Sequence, residues 1–123
     1  MDAAAVRDLI ERYNAAWNAQ DLDAIDELHD PEIVFDNHTA EERAEGADAV
    51  RDHIAQIFRN NPTMQFRTRS LHTGEDFAVC EWTLNLERDG RTLEWDGVDV
   101  FPIRDGLIAR KDVYSASHRP RDR

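Results

Sequence analysis

Three turn signals in the second half of the chain constrain its fold more than any other feature. Thr73-Gly74, Asp89-Gly90 and Asp105-Gly106 each sit between runs rich in β-branched and aromatic residues. Aspartate–glycine suits tight hairpins because both residues tolerate positive φ. The spacing predicts four antiparallel strands, over about 63–72, 76–87, 91–103 and 107–115. The first half has a different period. Val6, Leu9, Ile10, Tyr13 and Trp17 recur at helical spacing. Asp21 is suited to cap a second helix carrying Leu22, Ile25 and Leu28, which stops before Asp30-Pro31. Ile33-Val34-Phe35 reads as a short strand near 33–36, and the segment from Asn37 to Glu45 as polar and irregular. A third helix follows Gly46, with Val50, Ile54, Ile57 and Phe58 on one stripe, and ends at Asn60-Asn61-Pro62. Helices first and a curved sheet after define an α+β domain.

The 123 residues suffice for one domain, 1–123, with one core. No repeat or linker divides them, and residues 117–123, with the basic run Arg119 to Arg123, are expected to fray. A formal charge of -11 argues against nucleic-acid phosphate and anionic membrane as partners. No window approaches the ~20 apolar residues of a membrane span. Met1-Asp2-Ala3-Ala4-Ala5 lacks the basic and apolar regions of a signal peptide, and the single Cys80 excludes an intrachain disulfide, so a cytoplasmic protein is expected. The basic residues are arginine except for Lys111, a bias that GC-rich coding or a saline cytoplasm would each produce.

Alternation assigns faces to the strands. Cys80, Trp82, Leu84 and Leu86 share one side, opposite Glu81, Thr83, Asn85 and Glu87. Leu93, Trp95, Gly97, Asp99 and Phe101 share a side, opposite Glu94, Asp96, Val98 and Val100. The mostly apolar sets should face the helices. Asp99 therefore stands among core residues, where an isolated charge costs several kcal/mol unless it is paired, protonated or facing a polar cavity. Such a carboxylate marks a candidate site, and its surroundings predict titration above an ordinary aspartate.

Arg12-Tyr13 with Asn18-Ala19-Gln20-Asp21-Leu22-Asp23-Ala24-Ile25, then Gly46-Ala47-Asp48-Ala49-Val50, then Val98-Asp99-Val100-Phe101, occur in an order and spacing that resemble the nuclear-transport-factor-2-like superfamily. The nearest group is similar to the SnoaL-like polyketide cyclases and ketosteroid isomerases, over roughly residues 5–116. The resemblance implies a cone-shaped, curved antiparallel sheet wrapped around the N-terminal helix hairpin and a third helix, with an apolar pocket at the open end. It also implies an oxyanion-binding pair, with Tyr13 at the family's tyrosine position and Asp99 at that of its protonated aspartic acid. An ungapped count from Asp21 puts Asn37 at the position of the family's base, with Asp36 one residue early. An amide cannot abstract a proton at neutral pH. A bulge would bring Asp36 inward instead, so either residue can face the pocket. The related epoxide hydrolases need an Asp-Arg-Asp set that this chain does not match: Trp82 and Leu84 stand on the third strand, and the register puts Val113, not Asp112, at the last carboxylate.

The candidate catalytic residues are thus Tyr13, Asp99, Asp36 and His38. Tyr13 is either a donor to a ligand oxygen or a core tyrosine whose hydroxyl finds His29 or a backbone carbonyl. Asp99 is either a neutral acid donating to that oxygen or a buried carboxylate satisfied by Tyr13 or a backbone donor. Asp36 and His38 are either an acid–base pair at the pocket mouth or loop caps. Asn37, Trp17, Phe58, Trp82, Leu84, Trp95 and Phe101 are candidate ligand contacts. His29, His53 and His72 lack metal-ligand spacing and no glycine loop suits a phosphate, so neither metal nor cofactor is expected.

The reading is a pocket for a small apolar cyclic molecule, with metal-free isomerase, cyclase or dehydratase chemistry beside a carbonyl. The alternative is a non-catalytic ligand-binding or dimerisation module. A homodimer is expected through the outer sheet face carrying Glu81, Thr83, Asn85, Val98, Val100 and Tyr114.

Overall fold

The computed structural model describes residues 1–116 and the backbone of 121–122. Helix α1 (Ala3–Asn18) opens with Asp2, whose carboxylate accepts the Ala5 N–H at 2.7 Å. Helix α2 (Leu22–Leu28) is capped by Asp21, which accepts from the Ala24 N–H at 3.1 Å. Both carboxylates satisfy donors that a first turn leaves unpaired. Helix α3 (Ala47–Asn60) buries Val50, Ile54 and Phe58 of the stripe its periodicity predicts, while Ile57 is half-buried.

Between α2 and α3 run strands β1 (His29–Asn37) and β2 (Glu42–Glu45). The strand expected near 33–36 is longer than the β-branched run suggests. The segment from Asn37 to Glu45 is also not wholly irregular, since Val34 to Asn37 pair antiparallel with Glu45 to Glu42. Backbone pairing with β1, rather than residue preference, makes Glu-Arg-Ala-Glu a strand.

The second half forms β3 (Gln65–Thr73), β4 (Phe77–Arg88), β5 (Arg91–Arg104) and β6 (Leu107–Ser115). Asp89 and Gly90 have φ of 54° and 76°, and Asp105 and Gly106 repeat those values, as two-residue hairpin turns require. The first expected turn differs. Gly74, Glu75 and Asp76 all lie between β3 and β4, and the Gly74 N–H donates to the Phe77 carbonyl. Residues 121–122 add a short strand, β7, beside β5. The rest of the tail expected to fray lies outside the described residues.

The sheet order is β2-β1-β6-β5-β4-β3, with β1 parallel to β6 and the other neighbours antiparallel. The result is a curved, unclosed mixed sheet around three helices, an α+β cone. Gly97 on β5 allows one close approach. A Cβ there would lie 2.3 Å from the Trp82 ring, so only glycine lets that indole lie across the neighbouring strand. The core joins α1, α2 and α3 to the inner sheet face, where Ile33, Phe35, Ala78, Cys80, Phe101 and Ile108 are buried. Among the described residues no helix is long and apolar enough to cross a membrane.

Candidate active site

The helices do not fill the open end of the cone. A cavity of about 240 Å³ remains there. Its wall takes Trp17 from α1, Phe35 and Asn37 from β1, His53 and Ile57 from α3, and alternate residues of the sheet: Trp82, Leu84 and Leu86 on β4, Trp95 and Asp99 on β5, Lys111 and Val113 on β6. All three tryptophans of the chain stand in this wall. Aromatic faces give it a largely apolar lining, with a few polar groups to orient a ligand.

The decisive polar group is Lys111. It is 5% exposed, and its Nζ lies 3.5 Å from Oδ2 of Asp99, itself 4% exposed. The ammonium stands over the Trp17 ring at 4.0 Å and the Tyr13 ring at 4.9 Å, with Phe101 at 5.5 Å and Phe35 at 5.8 Å. One oxygen of the carboxylate at odds with its strand thus meets a cation from β6, not Tyr13. Burial pushes the Asp99 carboxyl above its ordinary range, and the Lys111 charge opposes that shift. Burial likewise pulls the Lys111 ammonium below its ordinary value, against Asp99 and Cys80. Desolvation therefore acts on both partners toward their neutral forms. Oδ1 of Asp99 and the indole nitrogens of Trp17 and Trp82 are buried without a hydrogen-bond partner among the described residues. All three belong to residues of the cavity wall.

Tyr13 is fully buried and is not part of the wall. Its hydroxyl meets Nε2 of His29 at 2.9 Å. Burial raises its pKa. The same burial, with the Lys111 charge behind it, lowers the His29 imidazole to about 3. His29 is therefore neutral in the folded chain, while an unfolded histidine protonates near 6.5. Between these values the unfolded state binds more protons, so this group removes stability as pH falls from about 6.5, by up to about 1.4 kcal/mol per pH unit. The expected result is a His29 ring carbon whose NMR shift stays constant from pH 7 to 4. His29→Gln should lose correspondingly less stability over that range in urea titrations. A His29 midpoint near 6.5 would contradict it.

Asn37 faces the cavity, and Asp36 lies on the opposite face of β1. The β1–β6 register agrees, pairing Asn37 with Val113 and Asp36 with Asp112. Asn37 also accepts from the Ala40 N–H through Oδ1 at 3.2 Å. Asp36 and His38 come together, 3.7 Å apart, but away from the cavity. His38 bonds Asp112 at 2.9 Å and stacks on Tyr114, with centroids 4.4 Å apart. Ligand atoms of Asp36, His38 and Asp112 lie within 4.8 Å of one another. Arg43 holds Asp36 at 3.1 Å and Arg110 holds Asp112 at 2.8 Å, so a cation there would compete with two guanidinium groups.

Trp17, Trp82, Leu84 and Trp95 stand in the wall as expected for ligand contacts. Phe58 and Phe101 sit one layer deeper, Phe58 edge-on to Trp17 and Phe101 edge-on to Tyr13. Sequence reasoning missed Lys111, His53 and Phe35. His53 contacts the Phe35 ring edge-on at 5.1 Å, and its Nε2 lies 3.7 Å from Oε2 of Glu42, which also borders the cavity. Alternation along β6 from Val113 would have found Lys111.

A half-open cone of curved sheet around three helices defines a class of small α+β domains, and the comparisons agree on that fold. The SnoaL-like domain profile matches residues 10–111, and the chain belongs to that family. The fold is similar to a candidate ketosteroid isomerase from Kribbella flavida DSM 17836, at 17% identity and a TM-score of 0.81, covering 95% of this chain and 82% of that one. It is similar to a candidate SnoaL-like polyketide cyclase from Jannaschia sp. CCS1, at 18% identity and a TM-score of 0.82, covering 93% and 87%. It is also similar to Bal32a from a soil-derived mobile gene cassette, at 16% identity and a TM-score of 0.85, covering 95% and 93%. At these identities the likeness is one of fold. No curated protein matches the chain in sequence.

Proposed function

We propose that this domain binds a small, largely apolar molecule through a carbonyl oxygen and moves a proton beside that carbonyl, in an isomerisation, cyclisation or dehydration. The observation that carries this reading is the Lys111–Asp99 pair, nearly fully buried yet part of an otherwise aromatic cavity wall. A cation held there polarises a carbonyl and stabilises the oxyanion that forms when a proton leaves the adjacent carbon. Asp99 holds the cation in place. His53, backed by Glu42, is the one histidine among the lining residues and carries the proton. Tyr13 supports Lys111 through its ring face, and Asp36 with His38 stabilises the outer surface. The isomerase- and cyclase-type names of the structural relatives accord with this class of chemistry.

Because every tryptophan lines the cavity, intrinsic fluorescence reports binding. A bicyclic ketone is expected to change the emission saturably, and Lys111→Arg to retain that response. The hydrocarbon of the same shape should bind about tenfold or more weakly, a discrimination worth about 1.4 kcal/mol. Equal binding of ketone and hydrocarbon would defeat the role given to Lys111. A second reading, a ligand-binding module without turnover, is favoured by the amide of Asn37 at the family's base position. Saturable binding with no product would support it.

The same reading includes a cytoplasmic homodimer paired through the outer sheet face, where Tyr114 is 44% exposed beside Val98. Sedimentation at micromolar concentration should give twice the monomer mass, and Tyr114→Glu should shift it toward monomer. A monomer at all concentrations would rule the dimer out.

A further inference from the structure

We propose that Lys111 is a covalent site: its amine condenses with an aldehyde or ketone bound in the cavity to form a reversible imine, with Asp99 as the proton shuttle. This rests on the pocket reading above and deepens it from polarisation of a carbonyl to capture of one.

The first ground is which cation the chain places there. Lys111 is the only lysine, and every other cationic side chain apart from histidine is an arginine. Arginine would make the better ion pair with a buried carboxylate, since its planar fork bonds both oxygens and it does not give up its proton. Lysine at this position gives the weaker bridge, a single 3.5 Å contact that leaves Oδ1 of Asp99 without a partner among the described residues. What lysine offers and arginine does not is a nitrogen that can lose its proton and attack carbon.

The second ground is the setting. Lys111 is contacted by α1 through Tyr13 and Trp17, by β1 through Phe35, and by β5 through Phe101 and Asp99. Cys80 on β4 lies near enough to act on it electrostatically. Apart from Asp99 and Cys80, these neighbours present ring faces. Burial among them favours the free amine, and the adjacent carboxylate supplies a base to receive the proton. The aromatic faces favour the ammonium, so burial and the rings act on this amine in opposite directions.

The reaction balances with these two residues alone. The ammonium passes one proton to Asp99, and the freed amine adds to the carbonyl carbon; the nitrogen then gives up a proton and the carbonyl oxygen takes it up, leaving a neutral carbinolamine. Asp99 returns its proton to that hydroxyl and water leaves. The carbon–nitrogen double bond then forms as a protonated imine beside the Asp99 carboxylate. No oxidant, metal or further cofactor enters. A protonated imine is a stronger electron sink than a ketone, so it eases loss of a proton from the neighbouring carbon, the chemistry already assigned to the pocket.

The test uses the full chain with 2-naphthaldehyde, a flat apolar aldehyde, and sodium cyanoborohydride at neutral pH. The expected result is one adduct per chain, of aldehyde minus oxygen by mass, mapped to the peptide containing Lys111. It should form at least about tenfold faster than on N-acetyl-lysine under the same conditions. The N-terminal amine is the only other primary amine in the chain, so peptide mapping is unambiguous. Asp99→Asn should slow trapping. Lys111→Arg, which keeps a cation but offers no amine that can lose its proton, should give no internal adduct. A change in emission without a Lys111 adduct would overturn the imine and leave the pocket reading standing. An adduct confined to the N-terminus, or one at Lys111 no faster than on N-acetyl-lysine, would overturn it equally. Neither binding nor adduct for any carbonyl compound would overturn both.

Discussion

Lys111→Met is expected to destabilise the protein by about 3–5 kcal/mol at pH 8, because it strands a buried carboxylate. Methionine fills much of the volume of the lysine stem, so the loss reflects charge more than packing. Asp99 would keep its desolvation and lose the one cation that opposes its raised pKa. The variant escapes the penalty only by protonating Asp99. A group whose folded pKa is raised binds protons more readily folded than unfolded. The deficit is therefore full above the folded pKa and shrinks as pH falls toward the unfolded value of about 3.9. Urea denaturation at pH 8 and pH 5 measures both. The double variant Lys111→Met with Asp99→Asn should recover most of the loss, since a neutral amide replaces the orphaned charge. A single variant as stable as wild type at pH 8 would show that the pair contributes nothing to folding.

Asn37→Asp is the second large effect, and it acts on chemistry. Neither carboxylate of the wild-type wall is unshared: Asp99 is paired with Lys111, and Oε2 of Glu42 lies 3.7 Å from Nε2 of His53. Asn37 stands in that wall with an amide. An aspartate there adds an unshared base to a pocket that already holds a cation for the oxyanion. A positioned general base contributes about 10²–10⁴-fold, and the rate of isomerisation of a β,γ-unsaturated ketone is expected to rise by that factor over wild type. Enone absorbance follows the reaction. Asp36→Ala should leave the rate unchanged, since Asp36 lies on the other face with Arg43. An Asp36→Ala variant that loses activity would place Asp36 in the pocket and the register one residue out.

The parts of the fold that could be read from sequence are those that local chemistry determines. Asp21 caps a helix wherever that helix ends up, and Asp89-Gly90 turns whatever strands flank it. Strand β2 could not be read because its residues have little preference for extension, and its partner is β1. The site divides the same way. Asp99 was visible as a charge among core residues. Its partner was not, because a lysine between Arg110 and Asp112 reads as surface, and lysine is rarely buried unless paired. The Tyr13 hydroxyl had two possible partners in sequence, and only the packing of α1 against β1 directs it to His29.

The parallel pairing of β1 with β6 makes one ribbon with two independent chemistries. Its inward side carries Phe35, Asn37, Lys111 and Val113, and its outward side Asp36, His38, Arg110 and Asp112. With Arg43 from β2, two guanidinium groups stand within a few ångströms of the two outward carboxylates, so little net field crosses the sheet to the buried pair. Inner-face substitutions can therefore change the cavity lining without disturbing surface charge, and outer-face substitutions can change that charge without touching the cavity. Selection can act on the two separately. The exception is a change in length: one residue inserted in β1 would exchange the two sides at once, so this ribbon should tolerate many substitutions and almost no insertions or deletions.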